Sequence, residues 1–342
     1  MQAPVIAAPM AGVSTPALVA AVDAAGGFGF LAGGYRRPPD LAQDIRRTRS
    51  LTDRPFGVNL FVPAPTDPRA RGADAVEAVA RYADRLAPEA TRLGVRLPEP
   101  DWLDTDHWDA KLTLLADIDP VAVVSCTFGT PPAAAVNRLH AAGSCVAVTV
   151  TTPAEASAAA AAGADVLIVQ GFEAGGHRGT HQVSEEPNEL DHLALIPLVS
   201  DLNLPIVAAG GITTAGDTGR ALAAGACAVQ VGTAFLLTDE AGTSAAYRMG
   251  LTDPALRSVI TRAFSGRPAR GLGNRFALAY ADAPPAFPQV DQLTKPLRAA
   301  AAAQGDLGAV SLWAGSGWRA AREEPAAAVV ARLAEGHRVS RG

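Results

Sequence analysis

The chain has 342 residues, of which 49% are hydrophobic and 18% are charged, and its formal net charge is −5 at pH 7. This composition predicts a globular protein with a large buried core and excludes a disordered chain. Lysine occurs only at Lys111 and Lys295 and the arginines are scattered, so no basic surface that would bind nucleic acid is expected.

Alanine-rich segments that end in glycine recur along the chain, and each comes before an apolar run. A glycine at this position commonly ends a helix ahead of a strand. The glycines are Gly26, Gly143, Gly163 and Gly225. Thr15, Thr130 and Thr152 are each followed by proline, which is the pattern of a capping residue at a helix start. Helices and strands therefore alternate, which predicts a parallel sheet.

Eight apolar runs of strand length follow one another in this alternation. They cover residues 5–9, 28–32, 56–61, 121–127, 145–150, 166–170, 206–209 and 228–233. Eight parallel strands with intervening helices predict an α/β fold of the TIM (β/α)8 barrel type. An open doubly wound sheet is disfavoured, because the GxGxxA pattern at residues 27–32 leads from a helix end into a strand, the reverse of the dinucleotide-binding order.

Two intervals are longer than an ordinary connection between a barrel strand and its helix. Residues 65–105 follow the third strand and include an amphipathic segment near 73–86, and residues 238–287 follow the eighth strand. Loops of this length are usually functional lids or inserts, and both leave the catalytic face of the barrel. We therefore predict a barrel formed by residues 1–64, 106–237 and 288–342. The two intervals should pack together as a smaller α+β or helical cap domain over its mouth.

The sixth strand runs directly into a glycine-rich turn that carries His177. Gly175, Gly176 and Gly179 permit backbone conformations that bring a ligand close to the main chain. A histidine just beyond the carboxyl end of a buried parallel strand lies where α/β proteins place their active sites. An imidazole with an ordinary pKa near neutrality can act as a general base. We therefore predict that His177 is the catalytic residue.

Small residues also follow other strands. Pro9, Met10 and Ala11 follow the first strand, Gly210 and Gly211 follow the seventh, and residues 230–233 end the eighth. Backbone amides after strands seven and eight of a barrel commonly bind phosphate. The pattern predicts a barrel enzyme with a phosphorylated ligand or cofactor; the alternative is that the glycines serve only tight turns.

Two carboxamides adjoin the apolar strands. Asn59 lies near the end of the third strand and Gln170 ends the sixth. An unpaired buried carboxamide costs about 1–3 kcal/mol, so each side chain needs a hydrogen-bonding partner. The pyrimidine edge of a flavin would satisfy both, and so would the loops of the barrel itself.

Together these motifs resemble the nitronate monooxygenases, formerly called 2-nitropropane dioxygenases. The resemblance runs in order from the Ala8-Pro9-Met10-Ala11-Gly12 turn to residues 312–317. It implies a TIM barrel that binds FMN and has an inserted second domain, and it matches His177 to the catalytic histidine of the family. The predicted cofactor-binding residues are Pro9, Met10, Ala11, Asn59, Gln170, Gly175, Gly176, Gly210, Gly211, Gln230, Val231, Gly232 and Thr233.

The resemblance also implies a reaction. Alkyl nitronates would be oxidised with O2 to a carbonyl compound and nitrite, through a flavin semiquinone. Propionate 3-nitronate and nitroalkanes are candidate substrates, and a neutral nitroalkane would need a base to remove its α-proton. Many relatives have an aromatic or histidine pair in the fourth-strand turn and a glutamine near the C-terminus, where this chain has Thr127 and Ser316. Thr127, Ser316 and Lys295 are the candidate substrate contacts.

Other functions fit parts of the same pattern. An FMN-dependent enoyl-acyl-carrier-protein reductase has a similar Glu-Ala-Gly-Gly-His turn, and an NAD(P)H:quinone reductase could use the same barrel. A flavin- or phosphate-binding module without catalysis is a non-enzyme alternative. His177 and His181 have HxxxH spacing, but Gly179 makes the helix that a zinc site of this type needs improbable, so no metal is expected.

The remaining features concern location and partners. Cys126, Cys145 and Cys227 form no CxxC pair, which argues against a disulfide framework. The N-terminus has no basic region of a signal peptide, and no apolar run reaches the length of a membrane span. We expect a cytoplasmic monomer or homodimer whose partners are a small-molecule substrate and O2, without nucleic acid or membrane.

Overall fold

Eight parallel strands close into a barrel in the computed structural model, which describes residues 1–64 and 73–339. The barrel strands are β1 (Val5–Ala7), β2 (Phe28–Ala32), β3 (Gly57–Phe61), β4 (Val123–Thr127), β5 (Cys145–Val150), β6 (Val166–Gln170), β8 (Ile206–Ala209) and β9 (Ala228–Val231). Pairing of β1 with both β2 and β9 closes the ring. The predicted TIM barrel is confirmed, and β2, β5, β6 and β8 have the predicted bounds.

Helices lie between the barrel strands in the sequence and also follow the last of them. They are α1 (Pro16–Ala24), α2 (Pro38–Arg49), α3 (Ala73–Leu93), α4 (Trp108–Thr113), α5 (Ala133–Ala141), α6 (Pro153–Ala161), α7 (His192–Val199), α8 (Ala215–Ala223), α9 (Ala245–Thr252), α10 (Arg275–Ala279), α11 (Gln289–Ala303) and α12 (Ala326–Val339). A π-helical turn, Leu114–Ile118, follows α4. Within the described residues, none of these helices combines the length and the apolar character that crossing a bilayer requires.

Most of the predicted helix ends are present. Thr15 caps α1 by accepting a hydrogen bond from the Leu18 N–H, and Thr152 forms a capping box with Glu155 on α6. The predicted cap at Thr130 is wrong, because two prolines follow it and α5 begins only after Pro132. The four glycines that end helices all have positive φ, between 82° and 111°: Gly26, Gly143, Gly163 and Gly225.

The two faces of the barrel strands build two separate cores. Ile6, Phe30, Ile168 and Val207 pack against one another in one cluster. Residues that alternate with them along the strands pack in a larger cluster with the surrounding helices, as Val5 does. Side chains of successive strand residues point to opposite faces, so a strand buried on both faces is apolar throughout.

A third cluster lies outside the barrel and joins the two long intervals. Tyr82 of α3 packs with Phe264 and Phe276, and its hydroxyl donates a 2.6 Å hydrogen bond to the Ala263 carbonyl. Leu293 of α11 packs there as well, although the predicted division assigns that helix to the barrel. The division into barrel and cap domains stays a prediction, and residues 65–72 and 340–342 lie outside the described residues.

A second, small sheet connects the sixth-strand loop to the later interval. Its strands are β7 (Gly176–His177), β10 (Ser258–Thr261) and β11 (Ala269–Leu272), arranged in the antiparallel order β10-β11-β7. The loop after β6 is therefore not free, because His177 lies opposite Ala269 in this sheet. The sequence of this segment predicts only a glycine-rich turn.

One carboxyl group is buried at the start of the barrel. Asp23 of α1 is 1% exposed, and its Oδ1 accepts a 2.8 Å hydrogen bond from the Gly29 N–H at the start of β2. Its Oδ2 has no hydrogen-bond partner among the described residues. Burial raises the pKa of Asp23 to about 7, although the Gly29 hydrogen bond and the charge of Arg54 act in the opposite direction.

This pKa predicts a pH dependence of stability. The carboxyl pKa is about 7 in the folded chain and 3.8 as the reference value, so between these values the folded state holds a proton that the unfolded state lacks. The free energy of unfolding should fall as pH rises through this range, by up to about 1.4 kcal/mol per pH unit. Asp23→Asn keeps the acceptor for Gly29 and abolishes the titration. Urea unfolding of both proteins at about pH 5 and about pH 8 should show the smaller fall in the variant; equal falls would exclude Asp23 as the source.

Candidate active site

A cavity of about 520 Å³ opens at the carboxyl ends of the barrel strands. Its wall includes the turn after β1, the ends of β3, β4 and β6, and the glycines after β8 and β9. A volume of this size is typical of sites for drug-sized ligands and cofactors, which lie at this face in TIM-barrel enzymes. The cavity is therefore the candidate active site.

Every residue predicted to bind the cofactor lines this cavity. The set is Pro9, Met10, Ala11, Asn59, Gln170, Gly175, Gly176, Gly210, Gly211, Gln230, Val231, Gly232 and Thr233. His177 and Thr127 line it as well. Their roles stay predictions.

Two of the candidate substrate contacts lie elsewhere. Lys295 is on the exposed side of α11 and does not line the cavity. Ser316 is exposed, and its hydroxyl donates to Glu173 Oε1 at 3.3 Å. The structure therefore does not bring either side chain together with His177.

Gln170 holds the loop that presents His177. Its Nε2 donates to the His177 carbonyl at 3.1 Å, and its Oε1 accepts from the Gly179 N–H at 2.8 Å and from Arg178 Nη1 at 3.3 Å. The Arg178 N–H donates to the Pro268 carbonyl at 2.8 Å, beside the pairing of His177 with Ala269. Both ends of the carboxamide are thus satisfied by the loop of the barrel, one of the two possibilities left open by the sequence.

The imidazole of His177 faces the cavity from within an aromatic wall. Its Nε2 lies 2.8 Å from Ser265 Oγ, which is buried in the turn before β11. The ring centroid lies 5.5 Å from that of Phe128, 5.6 Å from that of Trp313 and 6.0 Å from that of Phe287. These neighbours restrict the ring orientation, and the side chain stays partly exposed toward the cavity.

The environment keeps this imidazole neutral. Burial, followed by the positive charges of Arg267 and Arg298, lowers the pKa of His177 from 6.5 to about 3. The Arg267 guanidinium lies 4.0 Å from the Phe128 ring centroid, and that ring also contacts the imidazole. The ordinary pKa expected from the sequence does not hold in this environment. Of these two arginines, Arg298 is ion-paired with the buried Asp291 at 2.7 Å.

The Asn59 side chain is fixed from one side. Its Oδ1 accepts a 2.9 Å hydrogen bond from Ser125 Oγ and a 3.0 Å hydrogen bond from Thr127 Oγ1. Its Nδ2 donates to no other residue of the described chain, and Asn59 lines the cavity. The carboxamide therefore presents a donor for a ligand.

Unpaired polar atoms elsewhere in the wall also indicate a ligand. Gln230 Oε1 and Thr243 Oγ1 are buried without a hydrogen-bond partner in the described part of the chain. The N–H groups of Gly211, Gly232 and Thr233 donate no hydrogen bond to another described residue. Buried polar groups are nearly always paired, so a ligand with both donors and acceptors fits this wall.

Several residues of the wall were missed by the sequence analysis. Tyr35 follows β2 with a φ of 62°, and its buried hydroxyl has no partner among the described residues. Arg298 and Trp313 come from α11 and the segment after it. Of these residues, only Tyr35 could have been predicted from the sequence. Gly33 and Gly34 precede it at the end of β2, much as Gly210 and Gly211 follow β8.

The two histidines with HxxxH spacing have separate partners. His181 Nε2 lies 3.0 Å from the Thr149 carbonyl, and its backbone N–H donates to Glu155 Oε1 at 2.7 Å. Across residues 1–64 and 73–339, no three His, Cys, Asp or Glu side chains are grouped closely enough to hold a metal ion. His181 thus anchors its loop to β5 and α6.

The family model and the curated relatives that match this chain are nitronate monooxygenases. The family model described as nitronate monooxygenase matches residues 1–336. A nitronate monooxygenase from Pseudomonas aeruginosa is 42% identical over 98% of this chain and 96% of its own length. One from Paraburkholderia phytofirmans is 39% identical over 96% of this chain and 91% of its own.

Solved structures share the fold. Nitroalkane oxidase from Streptomyces ansochromogenes has a TM-score of 0.92 and 48% identity, covering 99% of this chain and 96% of that one. FabK from Thermotoga maritima has a TM-score of 0.75 and 26% identity, covering 100% of this chain and 95% of that one. Because the family model and the relatives span nearly the whole sequence, this chain belongs to the nitronate monooxygenase family.

Proposed function

We propose that this enzyme binds FMN in the barrel cavity and oxidises alkyl nitronates with O2, releasing a carbonyl compound and nitrite. The observation that carries the proposal is that all the predicted flavin contacts and His177 line a single cavity. The names of its relatives, nitronate monooxygenase and nitroalkane oxidase, favour the same substrate class. Propionate 3-nitronate and small nitroalkanes are candidate substrates. We also propose a cytoplasmic monomer or homodimer.

The chemistry of the wall fits FMN. Gln230 Oε1 is an unpaired acceptor suited to an N–H of the flavin ring, and Asn59 Nδ2 is a donor suited to a ring carbonyl. The free N–H groups of Gly211, Gly232 and Thr233 suit the phosphate. When bound, FMN supplies the one-electron redox chemistry that protein side chains lack.

The charge of the cavity favours an anionic substrate. A nitronate carries a negative charge, and the guanidinium groups of Arg267 and Arg298 lie near enough to lower the pKa of His177, although Arg298 is also ion-paired with Asp291 at 2.7 Å. A neutral nitroalkane gains less from this field and must also lose a proton. We therefore expect preformed nitronates to be the better substrates.

His177 is the proposed acceptor of that proton. A neutral imidazole has one nitrogen lone pair that can accept a proton, which is at Nδ1 when Nε2–H donates to Ser265 Oγ, but a pKa of about 3 makes it a weak base before the substrate binds. Loss of the α-proton creates a nitronate anion beside the ring, and an adjacent opposite charge raises the pKa of an imidazole. Proton transfer is thus coupled to the formation of the anion that the cavity binds.

The reductases remain the competing functions. The likeness to FabK is at 26% identity, lower than the 48% shared with the nitroalkane oxidase structure. Phe61 at the end of β3 and Trp313 near the C-terminus both line the cavity. A non-catalytic flavin or phosphate-binding module would turn over no substrate at all.

The direct test is nitrite release. Purified protein loaded with FMN is supplied with ethyl nitronate or propionate 3-nitronate in air, and nitrite and the carbonyl product are measured. We expect both products in equal amounts. Absence of nitrite with every nitronate, accompanied by rapid NAD(P)H oxidation with a quinone or an enoyl thioester, would assign a reductase function instead.

Replacing His177 should separate the two kinds of substrate. In His177→Asn the base is lost, so kcat/KM for nitroethane should fall about 10²- to 10⁴-fold, whereas kcat/KM for ethyl nitronate should change less than about tenfold. His181→Asn is the matched control, because His181 lies in the same loop but outside the cavity wall. Equal losses on both substrates in His177→Asn would contradict the base role.

Replacing Gln230 should weaken cofactor binding. Gln230→Leu removes the unpaired acceptor, so the Kd for FMN should rise about 2- to 10-fold, corresponding to one neutral hydrogen bond. The Kd is measured by quenching of FMN fluorescence on titration with apoprotein. Gln43→Leu, on the exposed side of α2, is the control. An unchanged Kd in Gln230→Leu would remove Gln230 from the binding residues.

A further inference from the structure

The end of β4 forms a short row of hydroxyl groups at the barrel mouth. Ser125 and Thr127 are two residues apart on one strand, so their side chains point to the same face. Cys126 between them points to the other face, into the outer core. On the next strand, Thr149 Oγ1 lies 3.4 Å from Thr127 Oγ1.

Strand register brings this row against Asn59. In the β3–β4 pairing Asn59 lies opposite Ser125, and Phe61 lies opposite Thr127. Ser125 is fully buried and Asn59 is 4% exposed, so water does not compete for their hydrogen bonds. The two hydroxyls lie 2.9 Å and 3.0 Å from the same atom, Asn59 Oδ1.

The single hydroxyl proton of Thr127 limits the hydrogen bonds that this residue can donate. A threonine hydroxyl has one proton, and Thr127 donates it to Asn59 Oδ1. What remains on Thr127 Oγ1 are acceptor lone pairs. The oxygens of a nitronate or a nitro group are themselves acceptors, so Thr127 has no proton left to offer them.

We propose that Thr127 is a positioning residue for Asn59 and does not contact the substrate. Together with Ser125, it fixes the Asn59 carboxamide with Oδ1 toward β4 and Nδ2 toward the cavity. Asn59 then binds FMN as a hydrogen-bond donor in one orientation. The inference rests on the proposed binding of FMN in this cavity, and it reassigns the residue that the sequence placed among the substrate contacts.

The consequence concerns cofactor binding before turnover. A free carboxamide can rotate by 180° and present either its oxygen or its nitrogen to a ligand. Two hydroxyl donors at one end remove this choice in advance, and such preorganisation lowers the cost of binding. Loss of the Thr127 hydroxyl should therefore weaken FMN binding more than it changes the KM for the nitronate.

Thr127→Val is the test, because it keeps the shape of the side chain and removes the proton. The Kd for FMN should rise about 2- to 10-fold, and the absorption bands of the bound flavin should shift. With saturating FMN, the KM for ethyl nitronate should stay within about twofold of the wild type. Thr127→Ser restores a hydroxyl and should restore both the Kd and the spectrum, and Thr130→Val, outside the cavity wall, is the control.

The opposite pattern would overturn the inference. If Thr127→Val raises the KM for ethyl nitronate while the Kd for FMN and the spectrum stay as in the wild type, Thr127 contacts the substrate. The double variant Ser125→Ala/Thr127→Val should weaken FMN binding more than either single variant, and no further weakening would also contradict the shared role. Because FMN affinity is measured without turnover, failure of nitronate oxidation in the wild type would be recognised separately.

Discussion

The site depends on how one short loop is held. Gln170 at the end of β6 uses both ends of its carboxamide on the loop that carries His177, and β11 pairs with the same loop from the other side. Gly175 allows the C-terminal segment to close over it, since a Cβ at that position would lie 2.4 Å from the Gly315 nitrogen. The catalytic candidate is therefore placed by three distant parts of the chain, which leaves it little freedom to move.

The second constraint is electrostatic. Burial and two arginines keep the imidazole neutral, and aromatic rings restrict its orientation. Charges in a partly buried site interact more strongly than they do in water. An anionic substrate therefore gains electrostatic interaction energy that a neutral substrate does not. The arginine charges that lower the pKa of His177 also favour the anion that proton removal creates. The same arginine charges thus act on nitronate binding and on proton transfer to His177.

Local signals in the sequence were sufficient for the barrel. Helix-ending glycines and uninterrupted apolar runs set the strands, and the cavity wall contains every glycine expected to bind cofactor. The two-residue strand at His177 gives no periodic signal, so its pairing with β11 could not be predicted. The pKa of His177 depends on Arg267 and Arg298, which only the fold brings near. The sequence does not indicate which side of their segments Lys295 and Ser316 occupy. Both side chains are exposed and lie outside the cavity wall.

Anaerobic reduction of the bound flavin tests the central claim most directly. Protein loaded with FMN is mixed without oxygen in a stopped-flow cell, once with ethyl nitronate and once with NADH, and flavin absorbance is followed. A cavity built for an anion beside a neutral imidazole predicts rapid loss of absorbance with the nitronate and none with NADH on the same timescale. Rapid loss with NADH and none with the nitronate would contradict the account and identify a reductase.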